Sequence, residues 1–262
     1  MQDIKQRLEK LYHSFDFNKA VLNDPIKFPR KYHSPLDIEI SAIISALFSY
    51  GSIKCFCLFL EKVFKITGES PADFIINFKP SKLSEKLNLK YRFASTHDIV
   101  ALLYVIQQLL KKNNYTLENI FSSSLINISV PAVHAISNFV KEALKTDLKA
   151  VYGKDIKTKG FLHFFPDPEK GSPCKRLNLF LRWMVRNRDI DFGLWKIFKP
   201  SQLIVPLDIH IFKISKKLGL TKKKTQSLKT AIEITDFFRK INPEDPLKYD
   251  FIICHGDING LI

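Results

Sequence analysis

Lys170-Gly171-Ser172-Pro173-Cys174-Lys175-Arg176-Leu177-Asn178-Leu179-Phe180-Leu181-Arg182-Trp183-Met184-Val185-Arg186 is the stretch from which the fold is read. Gly171 and Pro173 punctuate a tight turn. From Lys175 the apolar residues return at helical spacing, with Leu177, Leu181 and Met184 along one side. Lys175, Asn178, Arg182 and Arg186 stand at offsets 0, 3, 7 and 11 and share another side. Between Lys170 and Arg188 there are six basic side chains and no acidic one. A turn that feeds a helix offers free backbone N–H groups to a phosphate. The basic side chains on that helix add neutralising charge. Lys175 falls in the first helical turn, where the dipole disfavours an ammonium ion. A lysine so placed suits nucleophilic, Schiff-base chemistry.

Working outward, the second segment with chemistry in it is Val205-Pro206-Leu207-Asp208-Ile209-His210. Asp208 is a strong N-cap for a helix that Gly219 stops. A carboxylate facing a sugar carbon can stabilise positive charge there and help to activate an attacking group. His210 lies close to the same helix end, where it can donate to a phosphate. Another helix is expected from about Thr225 to Ile241. Upstream the pattern is helical as well. Ser34-Pro35 opens a helix that Gly51 ends, with Asp37 and Glu39 complementing its dipole. Helices follow over Ile53–Ile66, from Ser70-Pro71, from a Thr96 cap through Leu110, and from Ser129-Val130-Pro131 to near Lys145. Residues 146–172 are punctuated by glycine and proline, and a small hairpin has room in 150–165.

The 262 residues suit one large domain or two lobes. Lys and Arg number 41 against 26 Asp and Glu, a net charge of +15. That excess is the footprint of a polyanion binder. Seven lysines lie between Lys213 and Lys229 with no acid among them; a solvated surface and a phosphate track both account for them. No apolar run is long enough for a membrane helix, and the charged N-terminus is no signal peptide. Cys55, Cys57, Cys174 and Cys254 form neither a disulfide framework nor a four-thiolate metal site. A reducing cytosol is inferred.

On the turn, Lys175, Asp208 and His210, the chain resembles the helix-hairpin-helix (HhH-GPD) DNA glycosylase superfamily. Within it the sequence is closest to an uncharacterised, DUF2400-like bacterial branch related to 8-oxoguanine DNA glycosylases. Gly171-Ser172-Pro173-Cys174-Lys175 falls on that superfamily's hairpin, Lys175 on the lysine of its bifunctional members, Asp208 on its nearly universal aspartate. His210 falls on a histidine that 8-oxoguanine glycosylases place near phosphate. Ile43–Phe48 and Leu89-Lys90-Tyr91-Arg92-Phe93 resemble further family stretches. Phe251–Gly256 resembles a helix that precedes an iron–sulfur loop elsewhere in the superfamily; the cysteines of that loop are absent. Two departures stand out. Pro173 replaces the second hairpin glycine and has no N–H to offer. An insertion near Asn187–Lys199 lengthens the interval from Lys175 to Asp208.

The resemblance implies an all-α, two-lobed, glycosylase-like fold with a helix-hairpin-helix motif. Residues 40–190 form a helical barrel, and residues 1–39 with 191–262 form the second lobe. The cleft they make brings Lys175 beside Asp208. It implies a base-excision-repair DNA glycosylase with abasic-site lyase activity, taking an oxidised base, 8-oxoguanine favoured, through a Lys175 Schiff base with Asp208 as the second catalytic residue. Double-stranded DNA with a damaged base is the partner, bound by a monomer in the cytoplasm at the nucleoid. Neither cofactor, metal cluster nor membrane is implied. DNA contact falls to Lys170, Gly171, Ser172, Cys174, Arg176, Arg182, Arg186 and His210. Leu47, Phe48, Tyr91, Arg92, Phe93 and Asn178 are expected at the base pocket or as a wedge. Two rival readings stay open: a non-catalytic DNA- or RNA-binding protein of the same fold, and a monofunctional glycosylase in which Asp208 activates water.

Overall fold

The computed structural model describes residues 2–122 and 130–258. Its elements are helical throughout; among the described residues the one extended pairing is an isolated bridge between Tyr91 and Ala94. The hairpin expected in 150–165 is replaced by two short helices, Lys149–Tyr152 and Lys159–Leu162. Helices the sequence pattern left unmarked include Gln2–Ser14 and Pro80–Lys86, while the helix expected at Phe251–Gly256 is present as Asp250–Ile258. Ser129, expected to open a helix, lies outside the described residues, and that helix runs Pro131–Leu144.

The chain divides into two compact units. One comprises Met1–Asp24, Asn127–Val133 and Pro168–Ile262; the other comprises Pro25–Ile126 and His134–Asp167. This grouping differs from the 40–190 barrel read from the sequence. Residues 25–39 join the larger block of early helices, and the stretch 168–190 joins the unit that contains both termini.

In the second unit, helix Pro35–Phe48 is buried along nearly its whole length. Asp37 stands in the first turn, where it complements the dipole as expected, whereas Glu39 lies beyond that turn; both carboxylates have further partners. The Asp37 carboxylate accepts from the Ser70 hydroxyl at 2.8 Å and the Ala72 N–H at 2.9 Å, so it fastens the start of helix Pro71–Asn77. Glu39 accepts from the Leu117 N–H at 2.6 Å. Buried carboxylates persist because each meets donors of a neighbouring helix end. The cap of the helix Thr96–Lys112 is Ser95 rather than Thr96: Ser95 and Asp98 form a reciprocal capping box. Phe48 anchors an aromatic core, with ring centroids 4.6 Å from Phe59 and 5.1 Å from Phe164.

In the first unit, helix Lys175–Val185 is buried along nearly its whole length, and Leu177, Phe180, Leu181, Trp183 and Met184 are all fully buried. Each such side chain contributes about 1.5–3 kcal/mol of apolar transfer. The insertion explains itself here. It carries no helix between 187 and 199; instead it folds back on the helix end. The Phe192 N–H donates to the Trp183 carbonyl at 2.9 Å and the Trp195 N–H to the Met184 carbonyl at 2.8 Å. Those bonds satisfy carbonyls that a helix terminus leaves open. Gly193 is required in that return, because a Cβ there would lie 2.3 Å from the Asn187 Cβ.

The insertion also delivers Asp189 and Asp191 to the two arginines of the helix. Arg182 and Arg186 are 3% and 2% exposed. Arg182 grips Asp250 at 3.0 Å and Asp191 at 3.2 Å. Arg186 grips Asp245 at 2.8 Å and Asp189 at 3.0 Å, and also pairs with Asp191. Burial works against the charge on both arginines, but the carboxylates outweigh it and hold them more firmly protonated. With four carboxylates around two guanidiniums, burial pushes Asp191 up to about 6 and raises Asp250 as well. A raised folded-state pKa means that the folded protein holds this proton more tightly than the unfolded chain. The associated stability is present below about pH 4 and is lost as pH rises through about 6. Stability at pH 7 is therefore expected to be lower than at pH 5, by a slope of up to about 1.4 kcal/mol per pH unit for one proton. Urea midpoints across pH 5–7 check this, and Asp191→Asn should flatten the trend. A trend that survives in Asp191→Asn assigns the proton elsewhere.

Candidate functional site

The turn before Lys175 is built by its backbone conformation and by the hydrogen bonds that hold it. Gly171 has φ +86°, and Cys174 is left-handed at φ 45°, ψ 44°, an unfavourable setting for a residue with a Cβ. Fastenings hold it there. Asn178 donates its side-chain amide to the Pro173 carbonyl at 2.9 Å, and the Cys174 N–H donates to the Ser172 hydroxyl at 3.3 Å. The Leu228 N–H donates to the Gly171 carbonyl at 2.9 Å, which joins the turn to the start of helix Leu228–Ile241. The element ahead of the turn is only the three-residue 3-10 helix Pro168–Lys170. Lys175 then stands half-buried at the head of its helix.

Asp208 is the N-cap of helix Ile209–Lys217, as the sequence pattern predicts. Its Oδ1 accepts from the Ile211 N–H at 2.9 Å. Its Oδ2 accepts from the Cys254 thiol at 3.4 Å. Cys254 lies on helix Asp250–Ile258, which packs directly on helix Ile209–Lys217. Burial raises the Cys254 thiol well above its ordinary range, and the Asp208 carboxylate adds to the effect. The Lys175 charge works in the opposite direction on the same thiol. Lys175 and Asp208, 33 positions apart in sequence, thus act electrostatically on one cysteine, and Asp208 also bonds it. Asp24 also acts on that thiol, and its carboxylate is 3.1 Å from the His255 ring. All these residues belong to the unit of Met1–Asp24 and Pro168–Ile262, so the pair is assembled within a single unit.

Cys254, Asp24 and His255 were not legible as site residues. The sequence shows Cys254 only as an isolated cysteine; its neighbourhood exists through the packing of two helices. Among the expected DNA contacts, Lys170 and Gly171 are exposed, while Ser172 and His210 are half-buried. Cys174 and Arg176 are buried, at 1% and 8% exposure. Arg182 and Arg186 are committed to the aspartate network and do not face solvent. Of the expected pocket residues, Leu47 and Phe48 are fully buried in the other unit, Phe48 in its aromatic core. Tyr91 is buried too; its hydroxyl donates to the Tyr50 carbonyl, and burial raises it to about 12. Asn178 staples the turn instead of lining a pocket. Arg92 and Phe93 are exposed, Phe93 at 66%.

Among the described residues no three His, Cys, Asp or Glu side chains are grouped to hold a metal ion. None of the described helices is long and apolar enough to cross a membrane.

Fold and site together define an all-helical, strongly basic protein in which a helix-capping carboxylate bonds a half-buried thiol that also feels the charge of Lys175. The chain belongs to the family described as "Protein of unknown function (DUF2400)", which covers residues 24–259. No curated protein and no solved structure matches it.

Proposed function

We propose that this protein is a base-excision-repair DNA glycosylase with abasic-site lyase activity, acting on an oxidised base, with 8-oxoguanine favoured. The observation that supports this most is that Asp208 caps its helix and bonds the Cys254 thiol, on which the charge of Lys175 also acts. The net charge of +15 and the exposed Lys170-Gly171 turn support a phosphate-rich partner. In this reading one nucleotide leaves the stack, because its glycosidic carbon is inaccessible inside a duplex. Asp208 takes a proton from Lys175. The lysine Nζ attacks C1′, and the base departs with the electrons of the glycosidic bond. The sugar ring opens to a protonated Schiff base between C1′ and Nζ. Loss of a proton from C2′ then expels the 3′ phosphate and cuts the strand. Asp208 passes the proton it took to the departing base and, ionised again, stabilises the positive charge on the sugar.

Pro173 and the burial of Arg182 and Arg186 favour a second reading, a binder of the same fold without the chemistry. Borohydride trapping separates the two on duplexes carrying 8-oxoguanine, an oxidised pyrimidine, uracil or an abasic site. The proposal expects a covalent adduct on the 8-oxoguanine and abasic duplexes. Salt-sensitive binding with no product on any duplex supports the binder. Base release without strand cleavage supports a monofunctional glycosylase.

A further inference from the structure

The lysine run of residues 213–229 is accounted for only in part by local structure. Lys216 and Lys217 occupy the last turn of helix Ile209–Lys217, where cations complement the dipole. Lys229 does the reverse: it lies in the first turn of helix Leu228–Ile241, which holds no acid there. Lys222, Lys223 and Lys224 stand side by side and exposed in the connecting loop. Three adjacent ammonium groups repel one another, and Glu233 reaches only Lys223, at 4.0 Å. The loop that carries them is nonetheless pinned. The Lys223 N–H donates to the Thr221 hydroxyl at 3.1 Å, and the Thr230 hydroxyl donates to the Thr225 carbonyl at 2.7 Å.

The loop ends where the Leu228 N–H bonds the Gly171 carbonyl. That bond joins the lysine-bearing segment to the turn that presents Lys170 and leads into Lys175. A basic segment far along the chain is thereby attached to the foot of the candidate site, within one compact unit.

We propose that Lys222, Lys223, Lys224 and Lys229, continued by Lys170 on the adjoining turn, form a track that contacts the phosphates of double-stranded DNA beside the reacting nucleotide. The inference deepens the glycosylase reading and rests on it for the identity of the polyanion. Each lysine that meets a phosphate releases a counterion, so the track has a quantitative signature in salt dependence.

The test is equilibrium binding of the full chain to an 8-oxoguanine duplex, by fluorescence anisotropy, over a range of salt. Lys222→Gln/Lys223→Gln/Lys224→Gln is expected to flatten the slope of log K against log salt by about 2–3, at about 0.9 per lost contact. The variant's penalty should then be roughly 40-fold larger at about 50 mM than at about 200 mM salt. A control with the same charge change, Lys62→Gln/Lys65→Gln/Lys111→Gln, alters exposed lysines of the other unit and should keep the wild-type slope. An unchanged slope in the first variant overturns the track. An equal change in both variants makes the effect one of overall charge and overturns it too. So does a wild-type preference for single-stranded RNA over the duplex. Trapping is scored separately: wild-type adduct with an unchanged slope sinks the track alone, whereas a flattened slope with no adduct sinks the chemistry alone.

Discussion

Lys175→Gln is expected to abolish the borohydride-trapped adduct while the protein still binds its duplex. Glutamine is polar and only one atom shorter at this half-buried helix start, but it has no amine to form a Schiff base. The helix itself is held by the buried faces of Leu177, Phe180 and Trp183, so the fold should persist. Asp208→Asn is the companion variant. Asparagine is as good an N-cap as aspartate, so the bond to the Ile211 N–H survives and stability should change little. What it loses is the negative charge. If Asp208 stabilises the sugar cation and accepts the lysine proton, the single-turnover rate should fall by roughly 10²–10³-fold. Capping and chemistry are separated by the pair of readouts: thermal stability near wild type with the rate lost. An adduct that persists in Lys175→Gln names a different nucleophile. A full rate in Asp208→Asn leaves that carboxylate as a cap alone.

Arg186→Ala should cost about 3–5 kcal/mol, because it leaves buried carboxylates without their cation. Asp245, Asp189 and Asp191 all bond this one guanidinium, two of its contacts to Asp245 being 2.9 and 2.8 Å. For a chain of this size the midpoint of thermal unfolding should fall by on the order of 10 °C. Arg186→Lys should recover only part of the loss, since an ammonium cannot reproduce a planar fork shared among three carboxylates. Differential scanning calorimetry and urea midpoints read the effect. The same variants distinguish the structure from the sequence pattern. A phosphate-binding Arg186 predicts a flatter salt dependence of DNA binding with normal stability. A buried Arg186 predicts lost stability with the salt slope of the folded protein retained. Wild-type stability in Arg186→Ala would show that the network contributes nothing net.

How much could be read beforehand follows from the range over which each cause acts. Gly219 stopping a helix, Ser70 and Asp208 capping helices, and Lys175 beginning one are all consequences of a few neighbouring residues. Caps, dipoles and the 3.6-residue period are short-range effects, so the helical class and the places of Lys175 and Asp208 were legible without any tertiary information. Ser95 taking the cap from Thr96 is a displacement by one residue, of the kind such rules tolerate.

Exposure and partnership are different, because they depend on what arrives from elsewhere in the chain. Arg182 and Arg186 have the spacing of a basic stripe, yet Asp191, Asp245 and Asp250 are folded onto them from up to 68 positions away. Nothing in the helix records this. Phe48 was drawn into the aromatic core by Phe59 and Phe164, and Asn178 was claimed by the carbonyls of the turn. Cys254 gained its significance only when two helices packed and set its thiol against Asp208. Local sequence was enough for which residues start and stop helices, and for the basic character of the whole. Which charges reach solvent, and which thiol and carboxylate become neighbours, required the long-range packing that buries one set of side chains and brings another together.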